Sequence, residues 1–414
     1  MRRLWPLTVR GTGALALGVA CLVVANETAL VELTYFGVLL IVVVVASFAS
    51  LYFGRRSEVV TRSLVPDVVT VGREARVAVR VGVRTAVPTP PGTWTDTLPK
   101  GLRGRAEGAF PALGSGLRGG EHLVELAYTV TGARRGVHPI GPLAVRVRDP
   151  FGLARRTILF GERTPVTVAP AVVELSPLID YAGATGGTLH TTTNQLGQGA
   201  DNLVARAYMP GDSMRRIHWR ATAHRDQLMV RQEEQESTPE ATVVLDRSAL
   251  RWSPDALQSP GSDPGFEAGV SACVSVVARL VHDGYAVEVL DSDGAVLAER
   301  IDGGDQTEVE AMLVDFARLV ARPDDTWARL PHVFHGVSTG PIVLVVGRLD
   351  QADAETIGPL AAHGSLPLVL AAAPVGDALE RAAEHGWHVA VIDPDRDLAD
   401  AWGNAVGRGV SRVL

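Results

Sequence analysis

The sequence predicts a membrane-anchored multidomain protein: a transmembrane α-hairpin, then an all-β sandwich, then an α/β doubly wound domain. Three observations predict it. Two long apolar runs open the chain, residues 57–170 alternate apolar and polar side chains with a period of two, and from residue 241 short apolar strands alternate with amphipathic helices. The boundaries that follow are 1–56 for the hairpin, 57–170 for the sandwich, 171–240 for a polar intervening segment and 241–414 for the α/β domain.

The apolar runs cover about Trp5–Ala25 and Leu33–Phe53. Each approaches the roughly 20 residues that cross a hydrocarbon core of about 30 Å, and the second carries no charge. Arg2 and Arg3 before the first run also fit a signal peptide, but a second long run after only Asn26-Glu27-Thr28 and Glu32 favours a hairpin. Residues 5–53 are thus expected to contact lipid. Arg2, Arg3 and Arg10 precede the first run, and Arg55, Arg56 and Arg62 follow the second. By the positive-inside rule both termini are expected in the cytoplasm.

In the second region, VVTVGREARVAVRVGV and EHLVELAYTV alternate as half-buried strands do, separated by Gly-rich breaks. Pro88, Pro90 and Pro91 argue against helix there. Short strands at this spacing fit an immunoglobulin-like sandwich. Asp149-Pro150-Phe151-Gly152 reads as a turn closing a strand, with Phe151 expected to pack into the sandwich. In the third region strands are expected at 241–246, 286–291, 341–347, 366–373 and 388–393. Helices are expected near 266–282, 307–321, 352–363, 377–385 and 397–406. This alternation makes a largely parallel sheet.

Composition excludes several kinds of chemistry. The 414 residues carry a net charge of −7, which gives no basic footprint for nucleic acid. Lysine occurs once, at Lys100 between Pro99 and Gly101, so there is no phosphate-binding G-x-x-x-x-G-K-[ST] loop and no good Schiff-base lysine. Arginine in place of lysine, with abundant Ala, Gly and Val, suggests the coding bias of a GC-rich bacterial genome. Cys21 and Cys273 sit in separate apolar segments and form neither a disulfide framework nor a zinc site. No cofactor is expected.

The densest polar segment is GADNLVARAYMPGDSMRRIHWRATAHRDQLMVRQEEQES, residues 199–237. It mixes six arginines with six acids around Tyr208, His218, Trp219 and a Pro210-Gly211-Asp212 turn. Guanidinium forks bridging carboxylates and backbone carbonyls would order such a mixture. The string resembles the signature of the DUF58 membrane-associated proteins, through Arg206, Tyr208, Gly211, Asp212, Arg215, Ile217, His218, Trp219, Ala223, Leu228, Val230, Glu233, Glu234 and Glu236. One departure is His224, where arginine is usual, with Arg225 following. GARRGVHPIGPLAVRVRDPFGLARR is similar to a second string of that family. The resemblance implies that residues 241–414 are similar to a von Willebrand factor A domain. It also implies partnership with MoxR-type AAA+ ATPases and transglutaminase-like membrane proteins.

From these residues the segment is expected to join the sandwich to the α/β domain, or to present a partner surface. Arg206, Asp212, Arg215 and Arg216 would supply charge-assisted bonds, Trp219 an apolar anchor, and Glu233, Glu234 and Glu236 acceptors or partner contacts.

Two chemical readings compete with a binding role. Von Willebrand A domains hold Mg²⁺ on D-x-S-x-S with a later threonine and acid. Asp246 and Ser248 match, Leu250 cannot ligate, and Thr307 and Asp350 are the candidates for the later positions. Arg247 adds positive charge beside the would-be cation, so no metal site is expected. His218 near Asp212 is the candidate centre of a hydrolase, but no G-x-S-x-G, H-E-x-x-H or cysteine nucleophile accompanies it. His332 and His335 lack nearby carboxylates and make no zinc pair. The expectation is therefore a non-enzymatic, membrane-tethered adaptor. A Mg²⁺-dependent protein-binding domain on Asp246, Ser248 and Thr307, and a hydrolase centred on Asp212 and His218, are the alternatives.

Overall fold

The structure, a computed structural model, describes residues 5–28, 30–52, 56–85, 90–114, 122–178, 203–208, 214, 217–225, 227–233, 239–334 and 339–407. These form two compact units, residues 1–171 with 314–319, and 172–313 with 320–414.

The first unit opens with helices α1 (Val9–Thr28) and α2 (Val31–Tyr52), both long and apolar enough to cross a membrane. Twenty residues rise about 30 Å, the thickness of the hydrocarbon core. They close on each other at Gly18 and Gly37. A Cβ on Gly37 would stand 2.8 Å from the Gly18 carbonyl oxygen, so small residues set the helix spacing.

The sandwich follows. One sheet pairs β1 (Arg56–Val65), β3 (Glu74–Thr85), β7 (His122–Gly132) and β5 (Leu102–Gly104) in that order, all antiparallel. The second pairs β10 (Arg155–Phe160), β9 (Leu143–Arg148), β4 (Gly92–Asp96) and β6 (Glu107–Phe110). A smaller sheet joins β2 (Val69–Thr70), β11 (Thr164–Ala169) and β8 (Gly136–Ile140). The period of two is the cause: Val77, Val79, Val81 and Val83 are buried on β3, and Leu143, Val145 and Val147 on β9. The same apolar cluster continues through Leu7, Leu51 and Val44 into the hairpin. Anchor and sandwich therefore share one core.

A cross-sheet ion pair is embedded in this core. Arg62 of β1 meets Asp96 of β4 through two parallel bonds, Nε–Oδ2 at 3.0 Å and Nη2–Oδ1 at 3.1 Å. The two side chains are 1% and 0% exposed. Tyr128 of β7 donates its hydroxyl to Asp96 Oδ2 at 2.9 Å. Burial and the neighbouring Asp96 carboxylate push the Tyr128 hydroxyl well above its usual range. Gly141, at φ +100°, leaves room for the guanidinium: a Cβ there would stand 2.7 Å from Arg62 Nη2. Arg62 is thus a core residue of the sandwich. The sequence places it among the cations that follow the second apolar run, and the fold gives it Asp96 as its partner.

Phe151 also departs from expectation. The turn is there, but Phe151 is 65% exposed, because Asp149 fixes the turn by itself. Its Oδ2 accepts from Phe151 N at 2.9 Å, and its Oδ1 from Ala154 N at 2.5 Å.

The second unit is built on a six-stranded sheet. Its order is β16 (Val296–Ile301), β15 (Ala286–Asp291), β14 (Glu240–Leu245), β17 (Thr339–Leu349), β18 (Gly364–Pro374) and β19 (His388–Val391). All neighbours run parallel except β15 and β16. The antiparallel edge strand β16 was not expected; Asp291-Ser292-Asp293-Gly294 turns the chain straight back into it. Helices α4 (Pro264–His282), α5 (Gln306–Phe316), α6 (Gln351–Ile357), α7 (Ala378–Glu384) and α8 (Leu398–Gly407) lie between or after the strands. Helix α4 is as long and apolar as a span, yet Val270, Val274, Val277 and Val281 are wholly buried. It is a core helix. The order 3-2-1-4-5-6 in chain sequence reverses between β14 and β17, and in such sheets the crevice beyond the strand C-termini at that point is where ligands bind.

Candidate functional site

Two places carry the residues that the sequence singles out, both in the second unit. The first is the hairpin of β12 (Leu203–Ala207) and β13 (Met229–Glu233), with helix α3 (Trp219–Arg225) between the strands. Arg206 stands opposite Val230, and Glu233 opposite Leu203. Tyr208 N donates to the Leu228 carbonyl at 2.8 Å. Gly211, Asp212, Arg215, Arg216, Glu234 and Glu236 lie outside the described residues, as does His335.

His218 has a local role. Its backbone N donates to Met229 O at 2.7 Å, and its ring Nδ1 accepts from Ala221 N at 3.0 Å. That makes it the N-cap of α3, with Nδ1 committed to the Ala221 amide. Removing a cap costs about 0.5–2 kcal/mol. His218→Ala is therefore expected to raise hydrogen exchange in α3, and His218→Asn, which can accept the same bond, to restore it. Equal exchange in all three proteins would remove the cap role. Trp219 is 68% exposed at the start of α3, so it does not anchor the segment inside its own unit. Arg220, His224 and Arg225 are exposed on the same helix.

The second place is the switch point. Asp246, directly after β14, is buried, and its Oδ1 accepts from Ser292 Oγ at 2.8 Å. Ser292 Oγ also lies 2.7 Å from Thr326 Oγ1. Three guanidinium groups surround these oxygens. Arg251 Nε is 3.6 Å from Asp246 Oδ2, and its Nη1 is 2.5 Å from Asp353 Oδ2. The same guanidinium pairs with Asp325 and lies 4.9 Å over the Trp327 ring. Arg247 Nε meets Asp291 Oδ2 at 2.7 Å, and Arg322 Nη1 meets Asp293 Oδ2 at 2.9 Å. Arginines thus supply the positive charge that Asp246 and Asp291 require.

A divalent cation does not fit this arrangement. Asp246 Oδ2 and Ser248 Oγ are buried without a hydrogen-bond partner, as ligands would be, but Arg251 already faces Oδ2. Leu250 is exposed. Thr307 is exposed at the start of α5, its N bonded to Asp305; the threonine in the network is Thr326. Asp350 caps α6 in a reciprocal box with Asp353 and does not enter the network as a ligand. The assignment of Thr307 and Asp350 fails because β16 and the loop before Trp327 displace the positions that sequence order suggests. Sequence reasoning also missed Arg251, Asp291, Ser292, Arg322 and Asp353. A signal existed for two of them, since Asp291-Ser292 ends β15 as Asp246 ends β14, and Leu245 is in register with Asp291.

Burial pushes the Asp246 carboxyl up to about 6, against the pull of Ser292 and Arg251. An acid whose folded pKa is raised favours the fold in its protonated form. Its contribution is full below the ordinary value near 4 and is lost as pH rises through about 6. Asp246→Asn should therefore remove about 2–3 kcal/mol of pH-dependent stability over that window, read as the difference between variant and parent profiles. Parallel profiles would contradict it.

The CARDB domain of a Pyrococcus furiosus protein, described as in complex with di-metal ions, is 16% identical and covers 28% of this chain and 93% of its own, at a TM-score of 0.19. A solution structure of the same domain is 17% identical over 28% of this chain and 94% of its own, at 0.18. A von Willebrand factor type A protein from Catenulispora acidiphila is 13% identical over 42% of each chain, at 0.28. No curated protein matches the chain. Residues 204–255, which run from β12 through α3 and β14 to the loop after Asp246, match the family described as protein of unknown function DUF58.

Proposed function

We propose that this protein is a non-enzymatic adaptor, tethered to the bacterial plasma membrane by two spans with both termini in the cytoplasm. In this reading it acts with a MoxR-type AAA+ ATPase and a transglutaminase-like membrane protein in the assembly or maturation of envelope or other protein complexes. The observation that carries the reading is Trp219, a large aromatic 68% exposed within the DUF58 region, beside exposed Arg220 and Arg225. Tryptophan and arginine are the residues on which protein interfaces concentrate binding energy. Two further features favour a binding role. Arg251 takes the place beside Asp246 that a Mg²⁺-dependent domain would give to the metal, and the Nδ1 of His218 is occupied as a helix cap.

The test is affinity purification of the full chain from native membranes. The wild type should bring down the ATPase, and Trp219→Ala should lose it with the fold unchanged by circular dichroism. Retention of the ATPase by Trp219→Ala, or its absence from the wild-type eluate, sinks the proposal.

A further inference from the structure

We propose that the turn 149–153, with Phe151 at its tip, inserts into the membrane interface and makes the sandwich a second point of lipid contact. The proposal rests on α1 and α2 crossing the bilayer. The turn is stitched to the ends of these helices. Thr8 Oγ1 donates to Gly152 O at 2.7 Å, and Thr8 N to Leu153 O at 2.8 Å. Gly11, in the first turn of α1, lies so close that a Cβ would stand 2.0 Å from Leu153 O. Arg156 Nη1 donates to Leu51 O, at the end of α2, at 2.8 Å.

Val9 and Leu51 bound the two apolar spans, so they mark the edge of the hydrocarbon core. Gly152 and Leu153 touch both the residue before Val9 and the first turn after it. The turn therefore lies at the level where headgroups meet acyl chains. Asp149 holds it rigid from within, and Gly152 adopts φ +69° at its far side. A lone exposed phenylalanine is ordinary on a water-facing surface, so Phe151, at 65% exposure, takes its meaning from its place beside exposed Trp5 and the ends of the spans. At the headgroup boundary that meaning is lipid contact.

The neighbours fit the same surface. Trp5 is 58% exposed four residues before α1 begins, and Arg155 donates from its backbone N to Pro6 O at 2.8 Å and from Nε to Trp5 O at 3.3 Å. Exposed tryptophan and snorkelling arginine are what membrane interfaces collect. Because the turn is continuous with the spanning helices, the occupant we assign is the phospholipid of that same bilayer leaflet.

The test uses the full chain with Cys21→Ala and Cys273→Ala, reconstituted in nanodiscs of phosphatidylethanolamine and phosphatidylglycerol. A nitroxide is placed by Phe151→Cys, and separately by Val9→Cys, Leu39→Cys and Asp67→Cys. Collision with oxygen, against collision with a water-soluble nickel chelate, then reads depth. The label at Phe151 should match that at Val9, with high oxygen and low chelate access, and differ from Asp67 in its exposed sandwich loop. If Phe151 reads as Asp67 does while Leu39 reads as lipid-exposed, the inserting turn is wrong and the anchor stands. If Leu39 is also open to the chelate, the reading of the helices as spans fails, and this proposal with it.

Discussion

Arg251→Ala will destabilise the α/β unit by about 3–5 kcal/mol, the usual cost of removing one partner from a buried ion pair. Arg251 is 11% exposed and faces Asp246, Asp353 and Asp325 at once, so its loss leaves two buried carboxylates without their cation. Burial works against the charge on Arg251, but the bond to Asp353 and the fields of Asp353, Asp246 and Asp325 outweigh it and hold the guanidinium protonated. Arg251→Lys should recover only part of the loss, because an ammonium cannot reach all three acids with a planar fork. Hydrogen exchange resolved by peptide should show β14 and β15 weakened. Millimolar Mg²⁺ should not restore either variant if a guanidinium, and not a metal, is the resident cation. Restoration of Arg251→Ala by Mg²⁺ would put the Mg²⁺-dependent alternative ahead of the adaptor reading, and wild-type exchange would show that the network contributes little.

Asp96→Ala should cost the sandwich a similar amount, about 3–5 kcal/mol. It strands Arg62 at 1% exposure between two sheets and takes the acceptor from Tyr128. The double variant Arg62→Met with Asp96→Leu removes both charges and fills the space with apolar side chains. It should be more stable than Asp96→Ala alone, since two well-packed apolar residues are often as stabilising as a buried pair. Exchange in β1 and β4 separates the outcomes. A double variant as unstable as the single one would mean that the pair's geometry, not its unmet charge, holds the sheets together.

How much of this was legible in the sequence differs between fold and site. The period of two in VVTVGREARVAVRVGV placed β3, and its buried valines are the ones that the alternation selects. Strand β15 begins and ends where AVEVLD does. These are local facts: pleat and pattern share a period, so the residues state which face is buried. Strand β16 was missed for the complementary reason. VLAERI alternates too weakly to compete with the helix–strand rhythm around it, and only pairing with β15 makes it a strand.

The sites were less legible. Asp246 and Ser248 were visible as a pattern, but the residue that answers their charge, Arg251, acts through Asp353, more than a hundred positions later, and through Trp327. Arg62 read as a membrane-flanking cation, while its partner Asp96 is 34 positions away on the opposite sheet. Phe151 read as core and proved exposed. The sequence by itself determined the apolar spans, the strand periods and the DUF58 signature, because each depends on neighbours within a few residues. Only the tertiary structure decided which charges meet, which cation stands beside Asp246 and which aromatic faces outward. Those depend on contacts across large sequence separations, and burial fixes their energy.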